Sequence, residues 1–148
     1  MGIDASERDE LTRELARLAL HRAAPDELVI FDDLAVEYFA DPHAALRPQD
    51  RDETLGFGLD LTLLTPYVLA VAGFVLPLLN DVVTEVATQQ GNAWVGRLIR
   101  REPESVQLSQ EQARRVQVVA FEQARRAGLD DNRARLVADS IVGAVAAG

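Results

Sequence analysis

The chain has no cysteine, no lysine, two histidines and one tryptophan, and only 5% of it is aromatic. Without cysteine there can be no disulfide, no thiolate nucleophile and no cysteine zinc site. His21 and His43 have neither Glu nor His at the spacing that a zinc or di-iron helix needs, so we expect no metal. Gly56-Phe57-Gly58 lacks the third glycine and the lysine of a phosphate-binding loop, so we expect no nucleotide cofactor. A Ser-His-Asp set could be assembled only by free choice of residues, because no nucleophile elbow anchors it. The expectation is a protein that is not an enzyme, with no catalytic residue and no cofactor.

What is present points to helices. Hydrophobic residues make up 48% of the chain and charged ones 26%. A core built from Leu, Val and Ala with few aromatics favours helix-on-helix packing, and this much charge together with this much apolar surface argues against wholesale disorder. All the basic residues are arginine, a signature of codon usage in a GC-rich genome. The net charge of −9 is unevenly distributed. Residues 1–60 hold fifteen acids against six arginines, whereas residues 61–108 sum to −1 and residues 109–148 to +1. The acidic first part repels phosphate backbones and suits either solvent or a basic protein partner. Residues 1–24 are charged and lack an apolar segment, so no signal peptide is visible and a cytoplasmic protein is expected.

The chain's most distinctive feature is an uncharged run, Leu61 to Asn80, whose twenty residues match a membrane span in length. Trp94 and the arginines Arg97, Arg100 and Arg101 follow it, as they would beside a bilayer. Against lipid stand Asp60 at its edge, Pro66 and Pro77 within it, Thr62 and Thr65, and its continuation into an amphipathic turn. Arginines on its carboxy-terminal side would also require the acidic first sixty residues to cross the membrane. A central helix wrapped by amphipathic neighbours accounts for the same run without that difficulty.

Local signals divide the rest. Ser6 with Glu7, Asp9 and Glu10 reads as a helix start, and Leu11, Leu15 and Leu18 mark an apolar face up to Ala23, where Pro25 ends the helix. A second helix starts at Asp26 or Asp32 and runs to Ala40, with Leu34, Tyr38 and Phe39 as its buried residues. Asp41-Pro42 is a stop followed by a short helical turn, and residues 47–53 form a polar connection. Thr65-Pro66 is a cap with proline at the first helical position, opening a helix from Pro66 to Gln90 that Pro77 should kink. A short helix is expected around Trp94, Leu98 and Ile99, and then a linker over residues 102–107. Ser109 and Gln112 form a capping box for a helix to Ala127, stopped by Gly128. Asp130 or Asp131 caps a last helix carrying Leu136, Val137, Ile141 and Val145.

Two motifs invite function and fail. Asp32-Asp33-Leu34-Ala35-Val36-Glu37 with Asn80-Asp81-Val82-Val83-Thr84 is similar to the paired magnesium motifs of terpene synthases. The acid that the second motif needs is Thr88, and the chain is too short and too poor in aromatics to enclose a carbocation. The final hairpin places Ala124, Gly128 and Val137 near helix-turn-helix positions. However, Asp131 stands where an apolar residue packs, and acids at the start of a reading helix oppose phosphate, so no nucleic-acid partner is expected.

Leu55-Gly56-Phe57-Gly58, the stretch from Leu64 to Val71, and the terminal hairpin from Glu122 to Gly143 resemble a loosely defined group of short actinobacterial proteins of unknown function. The resemblance covers about a third of the chain. It implies a bacterial origin and an association with defence or signalling gene neighbourhoods, and it transfers no catalytic residue.

Together these features predict an all-α, single-domain bundle over residues 1–148, with about six helices around the apolar Pro66 to Gln90 helix. Its parts are an acidic helical region (1–60), the apolar helix and its Arg-rich follow-on (61–101), and a terminal helical hairpin (109–148). The expected function is protein–protein interaction, as a homo-oligomer or an assembly or regulatory subunit. The alternative is a membrane-associated or membrane-inserting component using Leu61 to Leu79. Candidate interaction or membrane residues are Tyr67, Phe74, Leu76, Trp94, Arg97, Arg100 and Arg101. Leu11, Leu18, Tyr38 and Phe121 are candidates for cover of the central helix or for interface.

Overall fold

The computed structural model describes residues 5–46, 63–86, 99 and 108–145. Among these residues the protein is all-α, with six α-helices, one 3-10 helix and no strand. We number the helices α1 (Ala5–Ala23), α2 (Phe31–Ala40), α3 (Pro42–Ala45), α4 (Thr65–Val86), α5 (Gln110–Arg126) and α6 (Asp131–Val145); the 3-10 turn Pro25–Ile30 joins α1 to α2.

The four long helices form a ring in which α1 packs on α4, α4 on α5, α5 on α6 and α6 on α1. Contacts at the helix ends fix their directions. The turn after α1 is hydrogen-bonded to the start of α4, so α1 and α4 run antiparallel. Gly143 near the end of α6 lies against the Arg22 guanidinium near the end of α1, so these two run parallel. The hairpin makes α5 antiparallel to α6, which leaves α4 and α5 side by side and parallel. The α2 helix lies against α4, with lesser contact to α1.

One apolar cluster fills the ring, with Leu15, Leu20, Phe31, Leu69, Leu76, Leu79 and Ile141 fully enclosed. Ile99 is helical and buried in this cluster too. Alanines at 16, 19, 35, 72, 120, 124, 134 and 138 are also buried, so the helices approach closely where side chains are small.

Those alanines correct part of the sequence reading. On α1 the buried side comprises Leu11, Thr12, Leu15, Ala16, Ala19 and Leu20, and Leu18 is left 40% exposed. The stripe is centred near Ala16 and Ala19, a rotation that a leucine-weighted period cannot register. On α2 the enclosed residues are Phe31 and Ala35, while Leu34, Tyr38 and Phe39 are only half-buried. On α6, Leu136 is 40% exposed, and Val137, Ile141 and Val145 face the core as expected. The helix α1 is described from Ala5, so Ser6 lies within it and does not stand before it as a cap.

Other local signals appear as expected. Asp41 accepts a bond from the Ala44 N–H and opens α3. The Ser109 hydroxyl accepts from the Gln112 N–H at 3.1 Å and the Gln112 side chain accepts from the Ser109 N–H at 2.8 Å, completing the capping box. At the other end of α5, Gly128 has φ +118°, and the Gly128 and Leu129 N–H groups donate to the Arg125 and Ala124 carbonyls. This Schellman arrangement needs a residue at ease with positive φ, and Leu129 and Ala124 are both buried in the core cluster beside it. Asp130 caps α6 by accepting from the Arg133 N–H at 2.9 Å.

The helix α4 is described to Val86, and the expected extension to Gln90 lies outside the described residues, as do the expected connections at 47–53 and 102–107 and most of the expected short helix around Trp94. It runs without a break through Gly73 and Pro77, and Pro77 is exposed, which keeps its ring away from the close-packed side.

Candidate interaction surface

The physical question posed by α4 is which of its sides the ring covers. Val68, Leu69, Val71, Ala72, Val75, Leu76, Leu79 and Val82 are all fully buried. Gly73 faces Thr12 of α1, where an added Cβ would make ordinary contact at 3.6 Å. The opposite side is only partly covered: Phe74 is 51% exposed and Pro77 is exposed, while Tyr67 and Leu78 are half-buried against the core cluster. Positions 67, 74 and 78 recur at helical spacing and share one stripe, with Pro77 at its edge. The expected full wrapping of the helix is therefore corrected to a partial one, because the helices packed against it leave this stripe to solvent.

The sequence candidates separate accordingly. Phe74 and Tyr67 lie on the open stripe, and Leu76 points into the core with no exposed surface. Trp94, Arg97, Arg100 and Arg101 lie outside the described residues. Leu11 is in the core, Phe121 and Tyr38 are partly buried against it, and Leu18 stands at the surface.

The start of α4 is held by a residue the sequence did not suggest. Glu27, in the 3-10 turn, accepts from the Leu64 and Thr65 N–H groups at 3.0 and 2.8 Å and from the Thr65 hydroxyl at 2.6 Å. Thr65 thus donates to a cap instead of supplying one, and Glu27 brings negative charge to the positive end of the helix dipole. This tether fixes both the height of α4 in the ring and the position of the turn leading into α2.

The surface of α2 is the other unusual region. Residues 24–46 contain six acids and no lysine or arginine. Asp32, Asp33 and Glu37 are exposed, and so are Val29 at 90% and Val36 at 65%. Asp32 pairs with Arg17 of α1 at 2.5 Å, and the Arg17 guanidinium also lies over the Phe31 ring. Arg13 covers Phe39 in the same way, so α1 lends α2 its positive charges along one edge only. Tyr38 packs edge-on against Phe39, and burial, with Asp9 adding to it, raises its phenol above the usual value of 10.0. Val29 and Val36 went unremarked in the sequence; the signal that could have found them was the run of acids without a base around them.

His21, His43, Asp33 and Glu37 are exposed, and no group of three or more His, Asp or Glu among the described residues could hold a metal ion. Asp131, at the head of α6, is exposed and paired with Arg125 at 3.0 Å. By length and composition, Thr65–Val82 is apolar enough to cross a membrane, and 56% of that stretch is buried inside the bundle. No protein-family model, curated protein or solved structure matches the chain.

Proposed function

We propose that this chain is a non-catalytic interaction protein that self-associates through the open stripe of α4 and serves as an assembly or regulatory subunit. The observation that carries this reading is Phe74, half exposed in the middle of the most apolar of the described helices. An exposed phenylalanine flanked by Tyr67, Pro77 and Leu78 offers apolar area that a partner can remove from water, worth about 25 cal/mol per Å². The stripe from Tyr67 to Leu78 itself contains no charge, and the exposed Asp81 follows one turn beyond Leu78, so two copies that meet antiparallel about Phe74 keep these like charges at opposite ends, despite a net charge of −9. Light scattering on the wild-type and Phe74→Asp proteins tests the reading: the wild type should exceed the monomer mass and the variant should return to it.

A second reading is membrane association, favoured by the length and composition of Thr65–Val82. The bundle already covers most of the residues such a span would give to lipid, which supports the first reading. Sedimentation with anionic vesicles separates the two, since a bilayer-embedded chain would pellet and resist a high-salt wash.

A further inference from the structure

We propose that the outer face of the 3-10 turn and α2 is a second docking surface, and that its occupant is a basic amphipathic helix of a partner protein. The inference rests on the chain working by docking, but it uses a surface separate from the Phe74 stripe.

Phe31 and Ala35 set the inward side of α2. The helical period then puts Asp33, Val36 and Ala40 on the outward side of α2, and Val29 belongs to the 3-10 turn that precedes it. Exposure agrees: all four are solvent-facing, and Val29 at 90% and Val36 at 65% are among the most exposed large apolar residues described. Neither valine helps to hold the fold: Val29 on the 3-10 turn and Val36 on α2 are both left largely in water, as apolar contacts that a partner could cover.

Charge identifies the occupant. Asp33 stands one turn before Val36, Glu37 follows it and Asp26 stands three residues before Val29, and no arginine or lysine occurs between Arg22 and Arg47. Arg17 neutralises Asp32 from the α1 side, which leaves the outward edge with a single sign. A helix with aliphatic residues on its contact face and arginine or lysine on both flanks would pair its charges with these acids and cover both valines. An acidic or neutral helix would leave the acids facing like charge or losing water without return.

The probe is a synthetic amphipathic helix of about 18 residues with leucines on one face and arginines flanking them. Its control carries glutamates in place of the arginines. Binding to the full chain is measured by fluorescence anisotropy for wild type, Val29→Ser/Val36→Ser, Asp33→Asn/Glu37→Gln and Phe74→Asp, with circular dichroism confirming unchanged helicity. The surface predicts that the basic peptide binds and the control does not, that each double variant weakens binding about tenfold or more, and that Phe74→Asp binds as wild type does. Loss with the acid variant alone would mean diffuse charge attraction and would overturn the proposal. So would unchanged binding in both double variants, or loss on Phe74→Asp, which would place the peptide on the other stripe. Self-association abolished by Val29→Ser/Val36→Ser, without peptide binding, would also overturn it, because the occupant would then be a second copy.

Discussion

Phe74 and Leu76 stand two residues apart on α4 and meet opposite surroundings: Leu76 is fully enclosed by the ring of helices, and Phe74 is half in water. The inner side of α4, from Val68 to Val82, holds the fold together. The outer side, from Tyr67 to Leu78, contributes apolar surface that the fold does not use. One helix therefore serves two purposes, and substitutions on its two sides should have separable consequences.

The largest effect belongs to the inner side. Leu76→Ala should lower stability by about 2–5 kcal/mol, the range for emptying a fully buried leucine site, measured as the unfolding free energy in urea. A loss no greater than that of a surface substitution would break the distinction between the two sides. Next comes the tether at the head of α4. Glu27→Ala leaves the Leu64 and Thr65 donors without their carboxylate and should cost about 1–3 kcal/mol, with faster amide exchange at the start of α4. Gly128→Ala should cost about 1 kcal/mol: nothing crowds the site, so the cost comes from its positive φ alone.

A smaller effect concerns Tyr38. Because its folded-state pKa is raised by burial and Asp9, the unfolded chain loses the phenol proton first as pH rises. The stabilisation is complete below pH 10 and is lost as pH climbs through the folded value. Stability measured across that alkaline range should therefore fall in the wild type, and Tyr38→Phe should remove this contribution.

Residues close in sequence made much of this fold legible. The Ser109–Gln112 box, Gly128 and Asp130 act within one turn of themselves, and their side chains suffice to mark where α5 starts and stops and where α6 begins. Glu27 was not legible, because it caps a helix 37 and 38 residues away and only the ring of helices brings the two together. Leu18 was misplaced because buried alanines, which carry little weight in a hydrophobic pattern, decide which way α1 faces. The open stripe of α4 was out of reach for a related reason. Between Tyr67 and Leu79 no charge says which side the neighbours leave bare, so Phe74 and Leu76 looked alike, and the one signal for the exposed side was Asp81, seven residues beyond Phe74. The outer face of α2 was hidden by the opposite bias, in which two valines among acids pass for ordinary solvent-facing helix.

Comparing the solution mass of the wild-type and Phe74→Asp proteins over a range of concentrations, by light scattering, is the most direct test of the outer side of α4. The wild type should exceed the 16.2 kDa of one chain. The variant should stay at that monomer mass, with its urea midpoint essentially unchanged, because Phe74 gives little to the core. A wild type that remains at 16.2 kDa at every concentration, indistinguishable from Phe74→Asp, would contradict self-association through this stripe.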